Sequence, residues 1–151
     1  MNNPAIRTAA RKVQGSVAVE MAIVLPIMVS LITGLIWFAQ VFWYYSVMQK
    51  AAYDGARLLS TASPIEITTP GAGNTPAPIA QLVSAMVAER TSLMNNIAEV
   101  KYIDVDCDFK TCGFTVPTTV RVAITMRMPF PIVEQSSMGL TADVTMRYAG
   151  N

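Results

Sequence analysis

The sequence predicts an α+β protein: a long N-terminal transmembrane helix, a second, amphipathic helix and a small three-stranded antiparallel sheet. Three observations carry that expectation. From Met21 to Met48 no side chain is charged. A stretch rich in proline and glycine, Ser63 to Pro78, separates this run from the rest of the chain. Beyond it, apolar residues recur first at helical spacing and then at every second position.

The charge-free run exceeds the about 20 residues that a membrane helix needs. It is also longer than the apolar region of a secretory signal, about 7–15 residues. Its Pro26, Ser30, Thr33, Gly34 and Gln40 are all tolerated in membrane helices. Trp37, Phe38, Phe42, Trp43, Tyr44 and Tyr45 crowd its second half, and such rings favour the water–lipid boundary. Arg7, Arg11 and Lys12 precede the run with no acid among them, whereas Lys50, Asp54 and Arg57 follow it. That asymmetry places the N-terminus in the cytoplasm and the C-terminal part outside, in a bacterium the periplasm. Without the three leader cations, eight basic residues face ten acidic ones. No broad basic surface is left for nucleic acid.

The expected organisation is a leader at 1–15, a helix at 16–62 with its transmembrane part at about 21–48, a linker at 63–78 and a head at 79–151. The helix continues past Lys50 because 47–61 lacks proline and is rich in good helix formers. Ser30 and Gly34, then Ala51 with Gly55 and Ala52 with Ala56, set small residues one turn apart, a spacing that lets helices approach closely. In Ile79 to Asn95, the residues Ile79, Leu82, Val83, Met86, Arg90 and Leu93 share one helical face. Pro78 suits its first turn and Asn95-Asn96 its end. Val100 to Cys107 is β-rich but irregular. Thr118 to Met128 and Leu140 to Tyr148 alternate, which gives one buried and one wet sheet face. A head this small has a marginal core, to be completed by the soluble part of the first helix or by a partner.

The chemistry-bearing residues are few. There is no histidine, which removes the commonest general base and metal ligand. Cys107 and Cys112 cannot alone build a four-ligand zinc site and are not a C-x-x-C pair. At a turn between two strands in an oxidising compartment they fit a disulfide. Asp104, Asp106 and Asp108 alternate, with Glu99 nearby. They are oxygen ligands of the kind a hard cation takes, so a metal-binding, membrane-tethered domain is one alternative. Alternating acids equally make a wet strand face. No nucleophile–base pair stands out. Neither an enzyme nor a cofactor is expected.

The remaining signal lies at the head of the apolar run, in Arg11-Lys12-Val13-Gln14-Gly15-Ser16-Val17-Ala18-Val19-Glu20-Met21. Gly15 is a helix breaker and an accessible backbone site for a protease at the cytoplasmic face. Cleavage there creates a positively charged amine on Ser16, one turn from Glu20. An acid in a membrane segment is costly unless paired. Glu20 either sits among head groups or pairs with the Ser16 amine of a neighbouring subunit, which would set register.

Gly15 followed by Glu20 ahead of an apolar helix resembles the type IV prepilin processing motif. The fuller pattern GSVAVEMAIVLP, with AAYDGARLLST after the helix and LTADVTMRYAGN at the end, resembles the TadE-like family of the Tad (tight adherence, Flp-type) pilus system. The resemblance covers residues 11–62 best. It implies a pilin-like, non-enzymatic minor pseudopilin of pilus biogenesis and adhesion, cut between Gly15 and Ser16 by a prepilin peptidase. It further implies the inner membrane as its location. The implied partners are other pilins or pseudopilins, a TadF-like one among them, and the inner-membrane pilus platform within the lipid bilayer. Met21 departs from the Phe or Tyr frequent after the glutamate, but is similarly bulky and apolar. The folded head departs from the very short major pilins, which favours a minor component. The alternative of the same topology is a permanent membrane anchor that never enters the filament.

Overall fold

The computed structural model describes residues 4–92, 94, 98–130 and 136–150, with side chains from Val17 onward except Lys101. The order of elements is α1 (Pro4–Ser60), α2 (Pro64–Thr68), α3 (Pro78–Ser92), β1 (Glu99–Cys107), β2 (Lys110–Thr111), β3 (Thr119–Pro129) and β4 (Ser137–Arg147). The chain divides into two units, Met1–Gln40 and Val41–Asn151, with residues of α1 in both.

In the first unit, every described side chain from Val17 to Gln40 is exposed except that of Trp37, which is half-buried. At 1.5 Å per residue this bare helix measures about 36 Å, enough for a hydrocarbon core of about 30 Å. α1 is long and apolar enough to cross a membrane over Val17–Ser60. Its hydroxyls are satisfied locally: Ser30 donates to the Ile27 carbonyl and Thr33 to that of Val29, both at 2.8 Å. Pro26 sits inside the helix without ending it.

In the second unit the last five turns of α1 are a core element. Val41, Tyr44, Met48, Ala51, Ala52, Ala56 and Leu59 are buried. The expected transmembrane part, 21–48, therefore reaches into this unit with its last turns. A Cβ placed on Gly55 would lie 3.1 Å from Val83 Cγ1, 3.3 Å from Val87 Cγ2 and 3.6 Å from Val122 Cγ2. Gly55 is thus where α1, α3 and β3 meet. Ala51, Ala52, Gly55 and Ala56 are buried within this chain. The C-terminus closes on the same helix: Tyr148 Oη donates to the Ala62 carbonyl at 2.8 Å and the Ala149 amide to Ser60 O at 3.0 Å.

The sheet is antiparallel with strand order β2-β1-β3-β4. It has four strands where the sequence predicts three. The fourth, β2, is two residues long and pairs Lys110 with Cys107 and Thr111 with Asp106, too short to leave a periodic signal. In β3 the alternation holds, with Val120, Val122, Ile124, Met126 and Met128 buried. The irregular pattern of β1 has a cause: its register against β3 shifts between Val100 and Tyr102, a bulge that moves the apolar set to Ile103 and Val105.

α3 departs from expectation. Its buried residues are Ala80, Val83, Val87 and Thr91, of which only Val83 belongs to the predicted face, while Leu82 and Arg90 are exposed. With an apolar Leu82 outside and a Thr91 inside, a clean amphipathic helix is not present. Thr91 can be buried because its hydroxyl donates to Val87 O at 2.9 Å. Leu93, Asn95 and Asn96 lie outside the described residues. The stretch 63–78, read above as a linker, holds α2, which starts with a capping box: Ser63 Oγ accepts from the Glu66 amide, and Glu66 accepts from the Ser63 amide. Ile67 is fully buried beneath it.

A side chain larger than hydrogen at position 55 must displace Val83 and Val87, whose branched Cβ atoms allow little rotation. Gly55→Leu is expected to destabilise the second unit by about 3 kcal/mol, read as a lowered denaturation midpoint. Gly55→Ala, where about 1 kcal/mol of helix propensity offsets the crowding, should shift it far less.

Candidate functional site: the N-terminal helix and the disulfide tip

Gly15 and Ser16 lie inside α1, whose backbone is helical from Pro4 to Ser60. The expected helix break at Gly15 is absent. One glycine costs about 1 kcal/mol in a helix, too little to interrupt a helix that continues on both sides. Cleavage between Gly15 and Ser16 therefore requires a local unwinding, which that glycine makes easier. The side chains of Arg7, Arg11, Lys12 and Ser16 lie outside the described residues. Glu20 is exposed, on a face shared with Val17, Met21 and Val24, which with it line a shallow groove on the helix. One turn of helix separates residues 16 and 20. Ser30 and Gly34 are exposed, with nothing within 4 Å of where a Cβ on Gly34 would stand. By contrast, Ala51, Ala52, Gly55 and Ala56 are all buried in the core of the second unit.

The second cluster is the tip of the β1–β2 hairpin. Cys107 and Cys112 are joined by a disulfide, with their Cα atoms 5.0 Å apart. Between them, Asp108 and Phe109 both have positive φ, 51° and 59°. Two such residues in succession form the tight turn that suits a right-twisted hairpin. Phe tolerates that conformation poorly, so other contacts must hold it. The Thr118 and Thr119 amides donate to Asp108, each at 2.8 Å, and both threonine hydroxyls do so as well, at 2.9 and 2.8 Å. The Thr118 amide foremost, and then the Thr119 hydroxyl, hold the Asp108 carboxyl down to about 2 from its usual 3.8.

The neighbouring carboxylates are engaged too. Arg121 grips Asp143 with Nε at 2.9 and 3.0 Å and Nη2 at 2.7 Å, reaches Asp106 with Nη1 at 3.3 Å and stands over the Phe109 ring at 5.8 Å. This corrects the metal-binding alternative built on Asp104, Asp106, Asp108 and Glu99. Asp108 is a turn anchor, Asp106 is an ion-pair partner, and no three such residues converge on a cation position among the described residues. The role of Asp108 was invisible in the sequence because its partners are ten and eleven residues away. Tyr148 was also missed: burial, and then the charge of Glu66, push its phenol up.

Residues 15–57 match the family model described as TadE-like protein. The matched segment begins at Gly15, contains Glu20 and the whole apolar helix, and ends two residues past the Gly55 contact. No curated protein and no solved structure matches the chain.

Because the Asp108 carboxyl is depressed in the folded state, its stabilisation is complete above the unfolded value near 3.9 and is lost as pH falls toward about 2. Asp108→Asn keeps tolerance of the turn conformation but removes the charge. Between about pH 4 and pH 2, the wild-type melting temperature should fall more steeply than that of the variant. Reducing the Cys107–Cys112 bond should cost about 2 kcal/mol by loop entropy, seen as a lower denaturation midpoint at neutral pH.

Proposed function

We propose that this chain is a minor pseudopilin of a Tad-type pilus, a structural assembly component with one membrane-spanning helix. On this reading its N-terminus is cytoplasmic and its folded head periplasmic. A prepilin peptidase cuts between Gly15 and Ser16, and the mature chain enters assembly with a free amine at Ser16. The observation that carries this proposal is the TadE-like match over 15–57, starting at the glycine of the motif and covering an exposed apolar stretch, 17–40, in which Glu20 is the one acid.

The physics of that helix supports assembly. Its side chains from Val17 to Phe38 need an apolar environment, which either lipid or neighbouring helices provide. Glu20 is tolerable in lipid only near the interface or opposite a cation. The Ser16 amine of an adjacent subunit meets that need and fixes the axial offset between subunits.

Intact mass of the membrane-extracted protein, from hosts with and without the peptidase, tests the proposal. The expected result is a chain beginning at Ser16 only when the peptidase is present. A chain beginning at Met1 in both hosts leaves a plain anchored domain and contradicts the proposal. Glu20→Ala should leave processing intact but reduce pilus assembly, read as fewer subunits in sheared pili. Recovery of the wild-type protein only in membranes, never with sheared pili, would favour a permanent anchor.

A further inference from the structure

We propose that β4 is a self-pairing edge, and that two copies of this chain join their sheets antiparallel about Thr145. β4 closes the sheet on one side and, among the described residues, pairs with β3 alone. It runs eleven residues in unbroken register, with no proline, no lysine and no bulge. Such features are how proteins keep edges from pairing. The opposite edge has them: β1 carries the bulge between Val100 and Tyr102 and is capped at one end by β2. The two edges are thus treated differently within one sheet.

The register follows from the backbone. The Tyr148 amide donates to Thr118 O at 2.9 Å, in line with a ladder in which Thr119 faces Arg147. In antiparallel pairs, alternate residues bond across and the others turn their amides away. The even-numbered residues of β4 therefore bond to β3. Gly139, Thr141, Asp143, Thr145 and Arg147 turn their amides and carbonyls to the edge that is open among the described residues. A two-fold axis at Thr145 sets Thr145 opposite its own copy and Asp143 opposite Arg147 of the other chain, so that only outward-facing groups meet.

Side chains select this register over its neighbours. An axis at Asp143 would oppose two carboxylates, and one at Arg147 two guanidinium groups, both unfavourable. The axis at Thr145 instead makes two Asp–Arg pairs on the wet face. Arg147 is exposed and has no ion pair among the described residues. Asp143, already bound by Arg121, retains acceptor capacity because a carboxylate has about four lone-pair sites. On the core face, Val144 and Met146 are half-exposed, whereas Val120, Val122 and Ile124 of β3 are fully buried. The same axis brings Val144 opposite Met146 of the second copy and covers both.

Full-length protein in its own membrane, carrying Thr145→Cys or Thr141→Cys, tests this under mild oxidation. Both positions are exposed and face the open edge. Directly paired residues at Thr145 sit about 5.5 Å apart, within the range of a disulfide. The two copies of Thr141 would be about 26 Å apart along the paired strands. The expected result is a cross-linked dimer from Thr145→Cys and none from Thr141→Cys. Adding Arg147→Glu to Thr145→Cys should lower the dimer yield about tenfold by opposing like charges. No dimer at position 145, equal dimer at both positions, or no effect of Arg147→Glu would each overturn the proposal.

Discussion

The close approach of α1 to α3 and β3 at Gly55 is the constraint on which the rest of the head depends. The sheet's apolar face, Val120 to Met128, needs a cover, and α3 alone offers only a narrow stripe of Ala80, Val83, Val87 and Thr91. The small residues Ala51, Ala52, Gly55 and Ala56 give α1 a flat face that can lie against both valines of α3 and Val122 of β3. Leu59 and Met48 fill the space on either side. The C-terminal Tyr148 and Ala149 bonds to Ala62 and Ser60 then fasten the last strand to the end of the same helix. Remove the helix, and the core face of β3 meets water.

That arrangement assigns two environments to the residues of one helix. Between Val41 and Ser60 one face of the helix, Val41, Tyr44, Met48, Ala51, Ala52, Ala56 and Leu59, is buried in the head. Between Val17 and Gln40 the apolar side chains are left bare, and the hydroxyls of Ser30 and Thr33 among them bond to their own backbone. Water is a poor solvent for the latter stretch. On the proposed function, lipid before assembly and other helices after it would be good ones, and Glu20 would mark the offset between subunits. The TadE-like match spans both parts, from Gly15 to Arg57, so the family signal includes the packing face as well as the membrane segment.

Much of this was legible in the sequence where periodicity or charge silence wrote it. The bare helix announced itself by the absence of charge, and β3 and β4 by strict alternation. β1 read as irregular because a bulge interrupts it. The face of α3 was misjudged because buried Ala80 and Thr91 carry little apolar weight, while the prominent Leu82 and Arg90 point outward. β2 was too short to see, and α2 was hidden in a proline-rich stretch whose Ser63–Glu66 capping box is a weaker signal than its prolines. The carboxylates of the disulfide tip looked like a cation site because spacing alone does not reveal partners. Asp108 is bound by threonines across the hairpin and Asp106 by Arg121 on the next strand, contacts that only the fold creates.

The measurement that tests the shared helix most directly compares two shortened chains, 41–151 and 62–151, by thermal unfolding in solution without detergent. If the last turns of α1 are the central core element, the longer chain melts cooperatively as a folded domain and the shorter one shows no cooperative transition. Equal, cooperative melting of both chains would contradict this, and would mean that the head folds without the helix that carries it.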